Sequence, residues 1–359
     1  MTVFDHVEFD NHEQVVFFRD AQAGLSAIVA IHSTALGPAA GGCRMWPYAS
    51  ADDALTDVLR LSKAMSYKSA LAGLPLGGGK AVIIGDPAVD KNERLLHAFG
   101  RCVQHLGGRY WTAEDVGTGL SDVHIIGEQC SYVFGTSVSP APYTAMGVFE
   151  GMRAAIAYQL ERGNFRGLRV AVQGLGNVGR HLCHLLHDAG AELVVTDIDP
   201  EAVVYAVDFF DAEVVPPDAI YAQPVDVFAP CALGGILNDA TISQLQATIV
   251  AGAANNQLGE RRHAQALADR GILYAPDYLI NAGGMLSASR DILHDESEAE
   301  LLSRIRRIYT TALHVFATAD EIGRTTADVA DRLAQARLAG GRLPVEELAY
   351  SGMAGISAP

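Results

Sequence analysis

Residues 168–173, Leu-Arg-Val-Ala-Val-Gln, lead straight into Gly174, Gly176 and Gly179 of "QGLGNVG", and an amphipathic stretch follows at once. A β-rich run, a G-x-G-x-x-G turn and a helix in that order open a βαβ unit that binds dinucleotides. The first glycine makes the tight turn, the second lets backbone approach a pyrophosphate, and the third lets helix pack on strand. At the helix start, around Asn177 and Val178, free N–H groups and the helix dipole favour phosphate. Asp197 ends the next strand, 18 residues beyond Gly179. There it can accept bonds from adenosine ribose hydroxyls and repel a 2′-phosphate, so NAD is expected rather than NADP.

The same alternation continues along the chain. Strand 168–173, helix 177–189 and strand 192–196 are followed by apolar runs near 225–230, 247–255 and 271–284. This order predicts a parallel, doubly wound sheet. Ahead of it, residues 14–32 read as a hairpin turning at Gly24, and 51–66 as a helix with Asp52 and Asp53 in its first turn. "KAVIIGDP" reads as a short buried strand and 91–106 as another helix. The stretch 135–142, "GTSVSPAP", is small and unperiodic, the composition of a hinge or linker. A helix over 143–163 follows it, and amphipathic helices fill the chain from about 298. At 359 residues two units are expected rather than one core.

Composition removes several function classes. A net charge of −16 argues against nucleic acid or an anionic membrane as partner. No apolar run approaches the roughly 20 residues of a membrane span, and the acidic N-terminus does not resemble a signal peptide. A soluble, cytoplasmic protein is expected. The five cysteines are dispersed and form no C-x-x-C, so they read as buried thiols. His181, His184 and His187 drift over about 120° of a helix with no further ligand nearby, so no metal site is expected.

Three glycines stand against a lysine in "LPLGGGKAVI", 74–83. It is not a Walker A loop, because Leu74 replaces the first glycine and Ala81 the serine or threonine. Lys80 therefore serves something other than nucleotide phosphate. With Lys68, Glu114 and Asp115 it belongs to a set of charged residues in glycine- and alanine-rich surroundings. Lysines in apolar runs call for a partner or a task. Asn255 and Asn281 follow later strands, where ligands of doubly wound sheets bind.

"GPAAGG", "MSYK", "LPLGGGKAVI", "EDVGT", "TAMGVF", "QGLGNVG", "APCALGG", "AGAANNQL" and "ILYAPDYLINAGG" together resemble the leucine/phenylalanine/valine branch of the amino-acid dehydrogenases. The resemblance runs in order from about residue 11 to 286. It implies an α/β fold of two domains separated by a cleft. The first, residues 1–138, would bind substrate, carry the catalytic groups and build a homo-oligomer (dimer or octamer). Residues 139–329 would form the Rossmann NAD domain, and helices in 330–359 would pack back on the first. Carried over, Lys68 meets the substrate carboxylate, Lys80 is the catalytic lysine and Asp115 handles the proton. Thr144 and Asn255 contact the nicotinamide side, Asn281 faces the substrate, and Gly41 and Gly42 offer backbone close to the reacting carbon.

The implied reaction is reversible oxidative deamination to a 2-oxo acid and ammonium. Its water needs a base, and an ordinary lysine, with a pKa of about 10.4, is protonated at neutral pH. A second ammonium at Lys68 and partial burial would both disfavour that charge. The related glutamate dehydrogenases carry a lysine where this chain has Ala40, so a dicarboxylic substrate would bury an unpaired charge here. By the same resemblance the pocket wall is Ala40, Ala113, Met285 and Ala288. Leucine and other branched-chain substrates are expected, with aromatic ones, suggested by Trp111, as the alternative. Two further readings stay open at this point: a 2-hydroxy acid dehydrogenase and a non-catalytic NAD-binding regulator.

Overall fold

The computed structural model describes residues 2–294 and 297–340. Its first half is built from β1 (Gln14–Asp20), β2 (Leu25–Ser33), β3 (Ala39–Trp46), α1 (Ala51–Leu71), β4 (Gly77–Ile84), α2 (Glu93–His105), β5 (Tyr110–Glu114) and α3 (Leu120–Gly127). The five strands form one sheet in the order β1-β2-β4-β3-β5. The hairpin β1–β2 and its neighbour β4 run antiparallel, whereas β4, β3 and β5 are mutually parallel. One sheet face buries Ile28, Ala30 and Val82 against Ala54, Leu55, Val58 and Leu59 of α1. The other face buries Val29, Ile31, Cys43 and Ile83 against Leu95, Phe99 and Val103 of α2.

After the irregular stretch around 133–140 comes α4 (Ala141–Gln159), then β6 (Arg169–Gln173), α5 (Asn177–Asp188), β7 (Glu192–Thr196), α6 (Pro200–Phe210) and β8 (Glu213–Val214). The order continues with β9 (Val227–Pro230), α7 (Asp239–Ile242), β10 (Ile249–Val250), α8 (His263–Ala268) and β11 (Leu273–Tyr274). These six strands are all parallel, in the order β11-β10-β9-β6-β7-β8. The chain therefore winds outward from β6 in one direction and then from β9 in the other, a doubly wound sheet with its switch point between β6 and β9. The short helices α9 (Asp277–Ile280), α10 (Gly283–Ala288) and α11 (Arg290–Leu293) lead to α12 (Glu298–Ile322) and α13 (Thr326–Leu338).

Helix α13 returns to α1, where Gln335 Nε2 donates to the Tyr67 hydroxyl at 2.9 Å. The rest of the segment expected to pack back, 341–359, lies outside the described residues. Helix α4 is locked to α9 and α10 by small residues: a side chain at Gly283 would overlap the Tyr143 carbonyl, and one at Gly151 the Ile280 side chain. His184 is half-buried among aromatic side chains. The ring stands 4.7 Å edge-on to Phe210, and Nε2 lies 2.9 Å from the Tyr205 hydroxyl.

The glycine run is not a loop ahead of a strand; Gly77, Gly78 and Gly79 are the first three residues of β4. Each is required by a close neighbour. A Cβ at Gly77 would overlap the Ser33 carbonyl, one at Gly78 the backbone of Ser66 in α1, and one at Gly79 would come 2.7 Å from the Tyr110 ring. The glycines thus let α1 lie directly on the strand. Gly78→Ala is expected to destabilise the fold by about 1–3 kcal/mol, the usual cost of overpacking. An unchanged urea midpoint would show that α1 can step aside without penalty.

Two histidines are buried under the same helix. His12 Nε2 lies 3.0 Å from Ser62 Oγ, and His32 Nδ1 lies 2.8 Å from Ser66 Oγ. Burial first, and then His12 beside it, push His32 down to about 4. An unfolded histidine titrates near pH 6.5. Between those values the unfolded chain binds a proton that the folded chain refuses, so stability is full above about pH 6.5 and falls as pH drops toward 4. The loss from His32 reaches roughly 3 kcal/mol at the acid end. Urea midpoints at pH 7 and pH 5 should show this slope, and His32→Gln should flatten it.

Candidate active site

A cavity of about 270 Å³ opens between the two sheets. Helix α1 contributes Leu61, Ala64, Met65 and Lys68, spaced i, i+3, i+4 and i+7 so that all four share one face. The first sheet adds Gly41, Gly42, Arg44, Lys80, Ala113, Glu114 and Asp115. The opposite wall is Thr144, Val178, Asn255, Asn256, Asp277 and Asn281, with Met285 and Ala288 from α10. Residues far apart in sequence, named above from motifs alone, thus meet in one cavity.

Lys80 is 5% exposed, and its Nζ lies 3.1 Å from Asp115 Oδ1. Arg44 holds the other oxygen, Nε to Oδ2 at 2.9 Å, and reaches Asp57 at 2.8 Å with a second nitrogen. Tyr48 donates to the same Asp57 oxygen at 2.6 Å. Burial works to raise the Asp115 carboxyl, but Lys80 and Arg44 outweigh it and hold it below its ordinary range. The carboxylate is therefore oriented and kept ionised from both sides. Sequence reasoning did not find Arg44 or Asp57. A single arginine next to Cys43 carries no local signal, because its partners lie 13 and 71 residues away.

Lys68 has a different setting. Its Nζ donates to Asn255 Oδ1 at 3.2 Å, across the cavity, and Asn281 Nδ2 donates to the same oxygen at 2.8 Å. Burial pushes Lys68 down to about 8, with Lys80 adding to that shift and Asp277 opposing it. The sequence argument placed the disfavoured ammonium at Lys80. In the structure Lys80 has its own counter-ion, and the uncompensated one is Lys68. Asn281 also donates to the Ala253 carbonyl at 3.1 Å, while its buried Oδ1 has no partner among the described residues.

Not every expected wall residue reaches the cavity. Ala40 is wholly buried in the hydrophobic core, between Gly78 of β4 and Trp111 of β5 in the sheet. Trp111 packs edge-on against Tyr132 at 5.5 Å and does not line it either. Gly41 and Gly42 do, and both are also required by packing: a Cβ at Gly41 would overlap the Gly79 carbonyl, and one at Gly42 the Glu114 carbonyl. Thr144 Oγ1 donates back to the Pro140 carbonyl at 2.9 Å.

The Gly174–Gly179 turn opens beside this cavity, with Val178 lining both. Gly174 has φ +100° and sits against Ala232, and a Cβ at Gly179 would overlap the Gly174 carbonyl. At Gly176 a Cβ would meet nothing within 4 Å. That glycine leaves open space before the first turn of α5, whose N–H groups have no side-chain cap. Two glycines serve the turn and the packing, and the third leaves room for a phosphate group. Asp197 accepts from the Leu175 N–H, and at 2.8 Å from the Asp199 N–H, tying the end of β7 to the glycine turn. No basic residue follows it in "TDIDP".

A nucleotide-type turn facing a buried and a half-buried lysine across a cleft is the architecture of a dehydrogenase. Residues 12–132 match the Glu/Leu/Phe/Val dehydrogenase dimerisation domain, and residues 135–217 and 206–340 match the Glutamate/Leucine/Phenylalanine/Valine dehydrogenase model. The leucine dehydrogenase of Geobacillus stearothermophilus is 50% identical over 344 residues, 94% of each chain. The L-tryptophan dehydrogenase of Nostoc punctiforme is 48% identical over 94% of this chain and 96% of its own. Its crystal structure superposes with a TM-score of 0.81, covering 92% of this chain and 96% of that one. The chain belongs to the Glu/Leu/Phe/Val dehydrogenase family and is an amino-acid dehydrogenase.

Proposed function

We propose that the chain catalyses the NAD-dependent, reversible oxidative deamination of an apolar L-amino acid, leucine and its branched-chain relatives first, to the 2-oxo acid and ammonium. The observation that carries this reading is the single cavity holding Lys68, Lys80 and Asp115 against Asn255 and Asn281, next to the open glycine turn. The substrate side chain would lie among Ala113, Phe134, Met285 and Ala288, which offer no cation. Arg44 lines the cavity but is already bound to Asp57 and Asp115. A glutamate side chain would therefore stay unpaired.

In the roles we assign, Lys68 takes the substrate carboxylate and the unpartnered Asn281 Oδ1 accepts from its amino group. Thr144 and Asn255 stand on the nicotinamide side. The pyrophosphate would rest on Gly174, Gly176, Asn177, Val178 and Gly179, with the ribose hydroxyls on Asp197. Bound NAD⁺ supplies the hydride acceptor. Asp115 removes a proton from the substrate ammonium, and loss of hydride from Cα leaves an iminium. Lys80, in its uncharged form, takes a proton from the attacking water. Asp115 returns its proton to the nitrogen, and as the C–N bond breaks the hydroxyl proton passes to the departing ammonia, giving 2-oxo acid and ammonium. Residues 1–138 would act as the substrate and oligomerisation unit and 139–329 as the NAD unit, with α13 returning to the first. Two observations fit the homo-oligomer and cytoplasmic setting we propose: the match to a dimerisation domain, and no described helix long and apolar enough to cross a membrane.

Lys80→Ala is expected to lose about 10²–10⁴-fold in kcat, the range of one general acid–base group, while keeping its fold and its melting shift with NADH. Turnover within tenfold of the parent would remove Lys80 from the chemistry. An initial-rate panel of leucine, valine, isoleucine, phenylalanine, tryptophan and glutamate should rank leucine first and show no glutamate activity. NAD⁺ should exceed NADP⁺ throughout. A panel led by tryptophan or phenylalanine would instead favour the aromatic reading that the Nostoc relative raises.

A further inference from the structure

Asp277 is a buried carboxylate, 5% exposed, that lines the cavity and has no part in the steps above. It begins α9, just after β11. Its Oδ1 accepts from the Tyr274 hydroxyl at 2.6 Å, and its Oδ2 accepts from the Asn256 backbone N–H at 2.8 Å. Asn256 has φ +51°, the left-handed region that non-glycine residues seldom adopt, so the turn it makes needs holding. The residue before it is Asn255, whose side-chain oxygen accepts from both Lys68 and Asn281.

The charges follow the same route. Among the described residues no carboxylate lies within 4 Å of Lys68; the direct partner is the neutral Asn255 amide. Three charged groups act on Lys68: Lys80 from β4, Asp115 at the end of β5, and Asp277 from α9. Asp115 is already paired with Lys80 and Arg44. Asp277 is thus the negative charge left to Lys68.

We propose that Asp277 is a positioning residue for the substrate carboxylate: it clamps the Asn255–Asn256 turn through the Asn256 N–H, so that Asn255 aims Lys68 into the cavity. The inference rests on the reading that Lys68 binds that carboxylate. Both Asp277 oxygens are taken by the Tyr274 hydroxyl and the Asn256 N–H, so it acts through Asn255 and through its charge on Lys68. An uncharged replacement offers the Tyr274 hydroxyl and the Asn256 N–H one carbonyl oxygen between them, and puts an NH₂ group against a donor. The turn then loses its clamp, and Lys68 loses the nearby charge that keeps it an ammonium inside a buried site.

The test is a double-mutant cycle of Asp277→Asn and Asn255→Ala in the full chain. It is read as KM for 4-methyl-2-oxopentanoate, KM for NADH and kcat, from pH 7 to 10. Asp277→Asn should raise the oxo-acid KM about tenfold, raise NADH KM by a smaller factor because Asn255 also faces the nicotinamide, leave kcat within about threefold, and move the alkaline rise of oxo-acid KM to lower pH. In the Asn255→Ala background the same change should add less than threefold, because the two act in series. Full additivity, an oxo-acid KM within twofold of the parent, or an equal loss in every parameter would overturn the proposal. If Asp277→Asn does not fold, Tyr274→Phe takes its place in the cycle, with the same coupling expected and the same outcomes overturning it. Parent enzyme inactive with every 2-oxo acid would instead refute the functional reading itself.

Discussion

The contact between α1 and the first residues of β4 governs the rest of the molecule. With no side chains on Gly77, Gly78 and Gly79, the helix backbone at Ser66 rests on the strand backbone at Gly78. That approach fixes both the height and the rotation of α1. Rotation decides which residues face the cavity, and the stripe of Leu61, Ala64, Met65 and Lys68 is the result. Height decides how far Lys68 stands from Lys80, which projects from the same strand one residue beyond the glycines. Two ammoniums in one small cavity would repel each other severely if unsupported. The structure supports them unequally, with Asp115 directly on Lys80 and a neutral amide on Lys68.

That inequality gives each lysine a distinct chemistry. A paired, oriented lysine next to a carboxylate is suited to moving protons, since donor and acceptor are already in contact. A half-buried ammonium without a direct counter-ion is suited to capturing an anion, because an incoming carboxylate supplies what the site lacks. In the proposed reaction the Arg44–Asp57–Tyr48 chain behind Asp115 would serve the first task, and the Asn255–Asn281 amides the second.

Much of this was legible in the sequence, for identifiable reasons. The doubly wound sheet followed from strand and helix periodicities and from three glycines whose separate duties the structure resolves at Gly174, Gly176 and Gly179. Lys68, Lys80, Asp115, Asn255 and Asn281 stood in short, distinctive segments. Other features were not legible, because they depend on contacts between distant segments. The glycine run reads as a loop in sequence, yet it is the start of a strand whose bareness is set by Ser33, Ser66 and Tyr110. Ala40 shares a strand with Gly41 and Gly42, but it faces the packed core rather than the cavity. Arg44 and Asp277 carry no motif of their own; their importance comes from what they hold. The stripe on α1 was visible as helical periodicity, but nothing local distinguished a cavity-facing stripe from a core-facing one.

The chain passes from the first sheet to the second through the stretch around 133–140, and α13 brings it back against α1 at Tyr67 and Gln335. Between those two places Tyr67 lies 6.4 Å from Tyr278, ring centre to ring centre, and Lys68 donates to Asn255. Lys68 is thereby placed from both halves of the chain: α1 carries it, and the segment after β10 receives its hydrogen bond. The arrangement around that lysine is a property of the two sheets together, and neither half holds it alone.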